Sequence, residues 1–198
     1  MAKIKIDGIV KEGTQIGIKN LLPVCVNYLL FILTCWIPYL NIGTFIGIIT
    51  LPAKMSKDET LSFTEIFNPV YRKYMGEGFL AMGLMFSGLT LGFMLLVIPG
   101  IVIAIAWSLT LLLVFDKKMD PISAIKKSND LTYGNKLMIL VGKAIYFILM
   151  GIVIKILQIV IPSQTPVIIS LILILVFMIV CFSLLAGVDA YIYRELAE

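Results

Sequence analysis

The chain has no histidine. That removes the usual general base, the Ser-His and Cys-His nucleophile pairs and the commonest metal ligand. Charge is scarce as well: Asp, Glu, Lys and Arg are 14% of the 198 residues, against about 25% in ordinary soluble domains. The three cysteines, Cys25, Cys35 and Cys181, all lie in apolar stretches. Cys25 and Cys35 stand about 15 Å apart along one expected helix, too far for a disulfide, so all three read as small buried hydrophobes. No glycine-rich phosphate loop, metal-ligand cluster or paired carboxylates can be found. These absences speak against an enzyme, and no cofactor is expected.

Hydrophobic residues are present in excess, at 60%. A soluble domain of this length leaves too much of its chain at the surface to bury that much apolar area, so lipid must cover part of it. A bilayer-spanning helix needs about 20 mostly apolar residues. Six stretches qualify, at 21–37, 39–55, 78–98, 100–116, 137–161 and 166–190, the second and fourth being short. The first twenty residues carry Lys3, Lys5, Asp7, Lys11, Glu12 and Lys19 and no uninterrupted apolar run, so no cleaved signal peptide is expected.

The placement of charge predicts sidedness, because cytoplasmic loops collect Lys and Arg. All but two of the sixteen basic residues fall in the N-terminal arm, in the segments after the second and fourth stretches, and in the tail. The opposite turns, at Pro38–Asn41, Pro99–Gly100 and Pro162–Thr165, carry no charge. The expectation is an all-α integral membrane protein with six transmembrane helices arranged as three hairpins. Both termini would be cytoplasmic, and the setting a prokaryotic plasma membrane.

Ile-Pro recurs at Ile37–Pro38, Ile98–Pro99 and Ile161–Pro162, each in an uncharged turn where proline would end the ascending helix. Each hairpin is preceded by an amphipathic stretch. In the second, Ser62 and Glu65 are placed as a capping box and Pro69 should kink or split the helix. In the third, Asp120 reads as an N-cap, Pro121 as the first helical residue and Gly134 as a terminator, with Lys126, Lys127 and Asp130 on the polar face. The N-terminal arm is a weaker version broken by Gly8, Gly13 and Gly17. The chain thus reads as a single transmembrane domain over 1–198 with repeats at 1–55, 56–116 and 117–198. The competing reading is that Ile-Pro is simply common at helix ends in an isoleucine-rich chain.

The segment Ile98-Pro-Gly-Ile101, then Ala124-Ile-Lys-Lys-Ser128, then Leu131-Thr-Tyr-Gly134 and Asn135-Lys136, resembles the polytopic membrane domain found beside some glycerophosphoryl diester phosphodiesterases. It is also similar to related small prokaryotic membrane proteins of unknown function. The resemblance is clearest over 95–140. It implies a membrane module without catalytic residues, since the hydrolase chemistry of such fusions belongs to a separate soluble domain.

The two remaining lysines, Lys143 and Lys155, lie inside the fifth stretch, each about 9 Å from one end. Charges within a membrane mark function unless their long stems snorkel to the interface, and both readings are open for this pair. Asp189, near the end of the sixth stretch, would approach Lys143 in an antiparallel pair, as an ion pair or a proton relay. Asn27, Thr34, Ser87, Thr90, Ser108 and Thr110 read as polar packing glue between helices. Gly43-x-x-x-Gly47 and Gly88-x-x-x-Gly92 would allow close approach of helices within the chain or between chains, so a homo-oligomer is one expectation. Trp36, Trp107, Tyr39, Tyr191 and Tyr193 are candidate interface anchors.

Lys117, Lys118, Lys126, Lys127, Arg72 and Lys73 would touch anionic lipid on the cytoplasmic side. The basic residues encircle a membrane rim, and no nucleic-acid partner is expected. The sequence therefore points to a non-enzymatic module that meets lipid or a partner. The alternative is a homo-oligomeric channel or transporter for ions or small solutes.

Overall fold

The structure is a computed structural model that describes residues 3–160 and 166–198. The third Ile-Pro pair and the turn to Thr165 lie outside the described residues. Helices account for the regular structure, with no strand among the described residues. They are α1 (Ile6–Lys19), α2 (Leu21–Thr34), α3 (Leu40–Ser56), α4 (Val70–Lys73), α5 (Met75–Leu95), α6 (Val97–Ala106), α7 (Thr110–Asp116), α8 (Pro121–Thr132), α9 (Lys136–Val160) and α10 (Val167–Ala197), with a 3-10 turn at Glu65–Phe67.

Four helical stretches are long and apolar enough to cross a membrane: Met75–Leu95, Val97–Asp116, Lys136–Leu157 and Val167–Ala197. A fifth arises if α1 and α2, which meet at a bend of 71°, form one broken span. At 17 residues α3 is at the lower limit of spanning length, and most of it from Gly43 onward is buried in protein. It occupies the centre, touching α2, α4, α5, α7 and α10. At about 1.5 Å per residue α10 is about 46 Å long, well beyond a hydrocarbon core of about 30 Å. Its last turns, including Val188, Tyr191 and Tyr193, are buried at the end of the bundle that carries the lysines. We call this the basic end. Toward the other end α2, α5, α6, α9 and α10 expose large apolar side chains such as Leu33, Phe86, Leu95, Ile152 and Leu171.

Several elements differ from the sequence-based expectation. The N-terminal arm is one uninterrupted helix, because its glycines serve as a seat: a Cβ on Gly187 of α10 would lie 2.4 Å from the Gly13 carbonyl oxygen and from the Gly17 amide nitrogen. The gain from this close packing outweighs glycine's intrinsic helix penalty of about 1 kcal/mol per residue. α5 ends at Leu95 and the chain extends at Leu96, so Pro99 sits in the first turn of α6 instead of closing α5. The fourth stretch is interrupted at Trp107–Leu109. Ser128 Oγ donates to the Ala106 carbonyl at 2.7 Å and accepts from the Leu109 amide at 3.2 Å. A serine from α8 thus replaces ladder bonds that the break removes.

Asp120 accepts from the Ser123 amide at 3.0 Å, Pro121 opens α8, and Gly134 has φ +80° after its end. Ala124, Ser128 and Thr132 are fully buried while Lys126, Lys127 and Asp130 are exposed. Around Pro69 the amphipathic stretch splits into the 3-10 turn and α4. Ser62 and Glu65 form no capping box: Glu65 is buried and bonds Lys54 Nζ at 2.8 Å and Tyr71 Oη at 2.9 Å. Trp36 and Tyr39 are exposed in the uncharged α2–α3 turn, but Tyr191 and Tyr193 are core residues and Trp107 fills the space beside Gly88.

Candidate functional site

A cavity of about 290 Å³ lies where α2, α3, α9, α10 and the α6–α7 break meet, near the basic end. On its wall Lys143 Nζ of α9 is 2.6 Å from Asp189 Oδ1 of α10. The two side chains are 26% and 37% exposed, so the pair is neither sealed nor free. Tyr28 of α2 enters from the side, its ring stacked on Phe182 with centroids 6.1 Å apart. Ser108 lines the same space from the helix break, and its Oγ is buried without a hydrogen-bond partner among the described residues. Pro52 stands inside α3, and since proline has no N–H the Ile48 carbonyl loses its helical donor. Both residues border the cavity.

Lys143, Asp189, Tyr28 and Ser108 therefore line one volume beside the proline break in the α3 ladder. Of these groups the sequence singled out Lys143, Asp189 and Ser108. Tyr28 and Pro52 carry no local signal, because α2 and α3 meet α9 and α10 only in the folded chain.

Lys155 is elsewhere: it is exposed and has no ion-pair partner among the described residues. Lys117, Lys118, Lys126 and Lys127 are exposed at the basic end, whereas Arg72 and Lys73, also exposed, sit on α4, where the Arg72 stem lies against Gly43 toward the opposite end of α3. Lys117 lies 4.0 Å from Asp116, whereas the other five make no ion pair among the described residues. Asn27, with no exposed surface, donates to the Ser62 carbonyl at 2.8 Å and accepts from the Ile66 amide at 3.1 Å, binding α2 to the 3-10 turn. Among the described residues, the Thr34, Ser87 and Thr90 hydroxyls bond only their own helices. The small-residue faces are filled from within the chain, since Gly47 abuts Ile66, Gly88 abuts Trp107 and Gly92 abuts Gly100.

Two polar clusters at the basic end went unread in the sequence. In one, burial pushes the Glu65 carboxyl up, but hydrogen bonds from Lys54 and Tyr71 outweigh it and hold the group below its ordinary value. In the other, Asp116 bonds Lys57 and accepts from Tyr193 Oη at 2.7 Å, joining the ends of α3, α7 and α10. Both act as staples between helices, and no group of side chains suited to a metal ion occurs among the described residues.

No protein-family model matches the chain, and no solved structure matches it. Over 45 residues it is 56% identical to a UPF0259 membrane protein of Pectobacterium carotovorum subsp. carotovorum (strain PC1). The match covers 23% of this chain and only 18% of that relative's length. With several apolar helices of spanning length and this likeness, the chain is an all-helical membrane protein.

Proposed function

We propose that the protein is a non-enzymatic, lipid-interacting module of a prokaryotic plasma membrane, crossing it six times with both termini in the cytoplasm. The observation that carries this reading is the basic end. Lys3, Lys5, Lys11, Lys118, Lys126 and Lys127 are all exposed there without a carboxylate partner among the described residues, beside a band of exposed apolar side chains. An anionic inner leaflet supplies the missing countercharge, at about 1 kcal/mol per nearby cation. The resemblance over 95–140 fits the same reading, with α8 as the element that carries both its Ala-x-x-x-Ser motif and two of these lysines.

The test compares wild type with a variant in which Lys117, Lys118, Lys126 and Lys127 are all Gln. In bilayers mixing phosphatidylglycerol and phosphatidylcholine, lipids retained on extraction are identified by mass spectrometry. Enrichment of the anionic lipid should fall at least tenfold in the variant. Equal enrichment would give the basic end another purpose.

The rival reading is a homo-oligomeric channel or transporter, and the Lys143–Asp189 cavity is what favours it. Solute flux from liposomes above that of empty vesicles would promote it.

A further inference from the structure

We infer that the Lys143–Asp189 cavity binds a zwitterion carrying a primary ammonium and a phosphodiester, namely the headgroup of an inner-leaflet aminophospholipid. The inference rests on the proposed reading that the basic end faces the cytoplasm.

Depth is the first argument. Lys143 lies seven residues inside the start of α9 and Asp189 eight residues before the end of α10, about 10–12 Å from those helix ends. Tyr28 is at a similar distance from the start of α2. Bilayers place about 5–8 Å of headgroup region outside each face of the hydrocarbon core. On α9 and α10 the charged pair of the cavity thus lies in the third of each helix nearest the basic end, closer to the headgroups on that side than to those on the other.

Charge is the second. Lys143 and Asp189 pair as opposite charges 2.6 Å apart. A simple anion drawn to Lys143 would meet Asp189, and a simple cation would meet Lys143. A zwitterion inserted with opposed polarity keeps every charge paired, with phosphate on Lys143 and ammonium on Asp189. The remaining polar groups divide the same way. The Ser108 and Tyr28 hydroxyls can donate to phosphate oxygens, and Ser108 Oγ is otherwise buried without a partner among the described residues. The Ile48 carbonyl, deprived of its donor by Pro52, can accept from an ammonium N–H.

Size and access are the third. A volume of about 290 Å³ is at the small end for ligand pockets, fitting a headgroup and not a whole lipid. Phe147 and Phe182 line the cavity yet are 52% and 39% exposed. The opening is therefore lateral, between apolar flanks of α9 and α10 along which acyl chains can lie.

The full-length protein is delipidated in mild detergent and titrated with short-chain phosphatidylethanolamine, phosphatidylcholine, phosphatidylglycerol and free phosphoethanolamine, and binding is read by native mass spectrometry. Phosphatidylethanolamine should bind at least tenfold more tightly than phosphatidylcholine, which has no ammonium N–H, or phosphatidylglycerol, which has no ammonium. Asp189→Asn and Ser108→Ala should each weaken it by about tenfold, and the second leaves every hydrogen bond of the fold intact, so loss of binding there is not loss of folding. Free phosphoethanolamine should compete only weakly. Equal binding of the three lipids, or unchanged affinity in both variants, overturns the site. Competition by phosphoethanolamine as strong as by the lipid overturns the lipid assignment in favour of a soluble zwitterion. The variant with four rim lysines changed to Gln should keep its preference for phosphatidylethanolamine, so failure here and failure of the basic-end reading are separate results.

Discussion

At the residue scale, the two lysines of α9 differ in partner more than in chemistry. Lys143 is held at 2.6 Å by Asp189, while Lys155 has no ion-pair partner among the described residues and lies exposed near the opposite end of the helix. Replacing Lys155 with Leu removes a charge from an apolar face, where insertion costs reach about 2.5–3.5 kcal/mol at mid-span and less toward an interface. That variant should melt at or slightly above the wild-type temperature in detergent. Lys143→Leu strands Asp189. Breaking a fully buried pair costs about 3–5 kcal/mol, but partial exposure of both side chains should reduce the loss to about 1–2 kcal/mol. The double variant Lys143→Leu, Asp189→Leu should recover most of it. A Lys143→Leu protein as stable as wild type would show that the pair adds nothing to the fold. The sequence allowed the pairing to be anticipated because successive long helices are antiparallel neighbours. It held no comparable sign for Tyr28 or Pro52, whose approach depends on how separate hairpins dock.

At the element scale, local signals were legible and long-range ones were not. The start of α8 could be read from Asp120 and Pro121, and its end from Gly134, because capping is settled within a few residues. The split at Pro69 was legible for the same reason. α1 was not, since its glycines weaken a helix locally but receive α10 from the far end of the chain. The same distance hid the break at Trp107–Leu109, whose open backbone groups are met by Ser128.

Both long-range contacts can be weighed by substitution. Gly187→Ala would press a methyl group to 2.4 Å from backbone atoms of α1, which cannot yield as a flexible side chain could. Overpacking of this kind costs about 1–3 kcal/mol or more. Ser128→Ala would leave the Leu109 amide without its partner and the Ala106 carbonyl with only the longer bond from Thr132 Oγ1 at 3.4 Å, at about 1–3 kcal/mol for a buried unsatisfied group. Each variant should show a clearly lowered melting temperature in mild detergent. Wild-type melting of Gly187→Ala would mean that α1 is not seated on α10 as described.

At the scale of the whole molecule, the number of crossings decides which segments meet which leaflet. The apolar lengths alone support four spans, or five if α1 and α2 are one broken span. Six crossings require that α2 and the 17-residue α3 also traverse the membrane as a pair, and charge asymmetry favours this. The turn between them contains Trp36 and Tyr39, exposed and uncharged, while both segments joining one hairpin to the next carry Lys or Arg, Lys57, Arg72 and Lys73 in the first and Lys117, Lys118, Lys126, Lys127 and Lys136 in the second. Single cysteines can decide among the counts in a background with Cys25, Cys35 and Cys181 replaced by Ala. The positions are Lys5, Tyr39, Leu96 and Ser123, all exposed, and the probe is a membrane-impermeant maleimide applied to intact cells. Six crossings predict labelling at 39 and 96, with 5 and 123 reactive only after permeabilisation. If α2 and α3 only dip into the membrane, position 96 alone should label. If α1 and α2 make one broken crossing and α3 none, position 5 should label together with 96. Labelling of Ser123→Cys in intact cells would reverse the orientation altogether. It would also place the unpaired lysines of α8 away from the anionic leaflet that their charge requires.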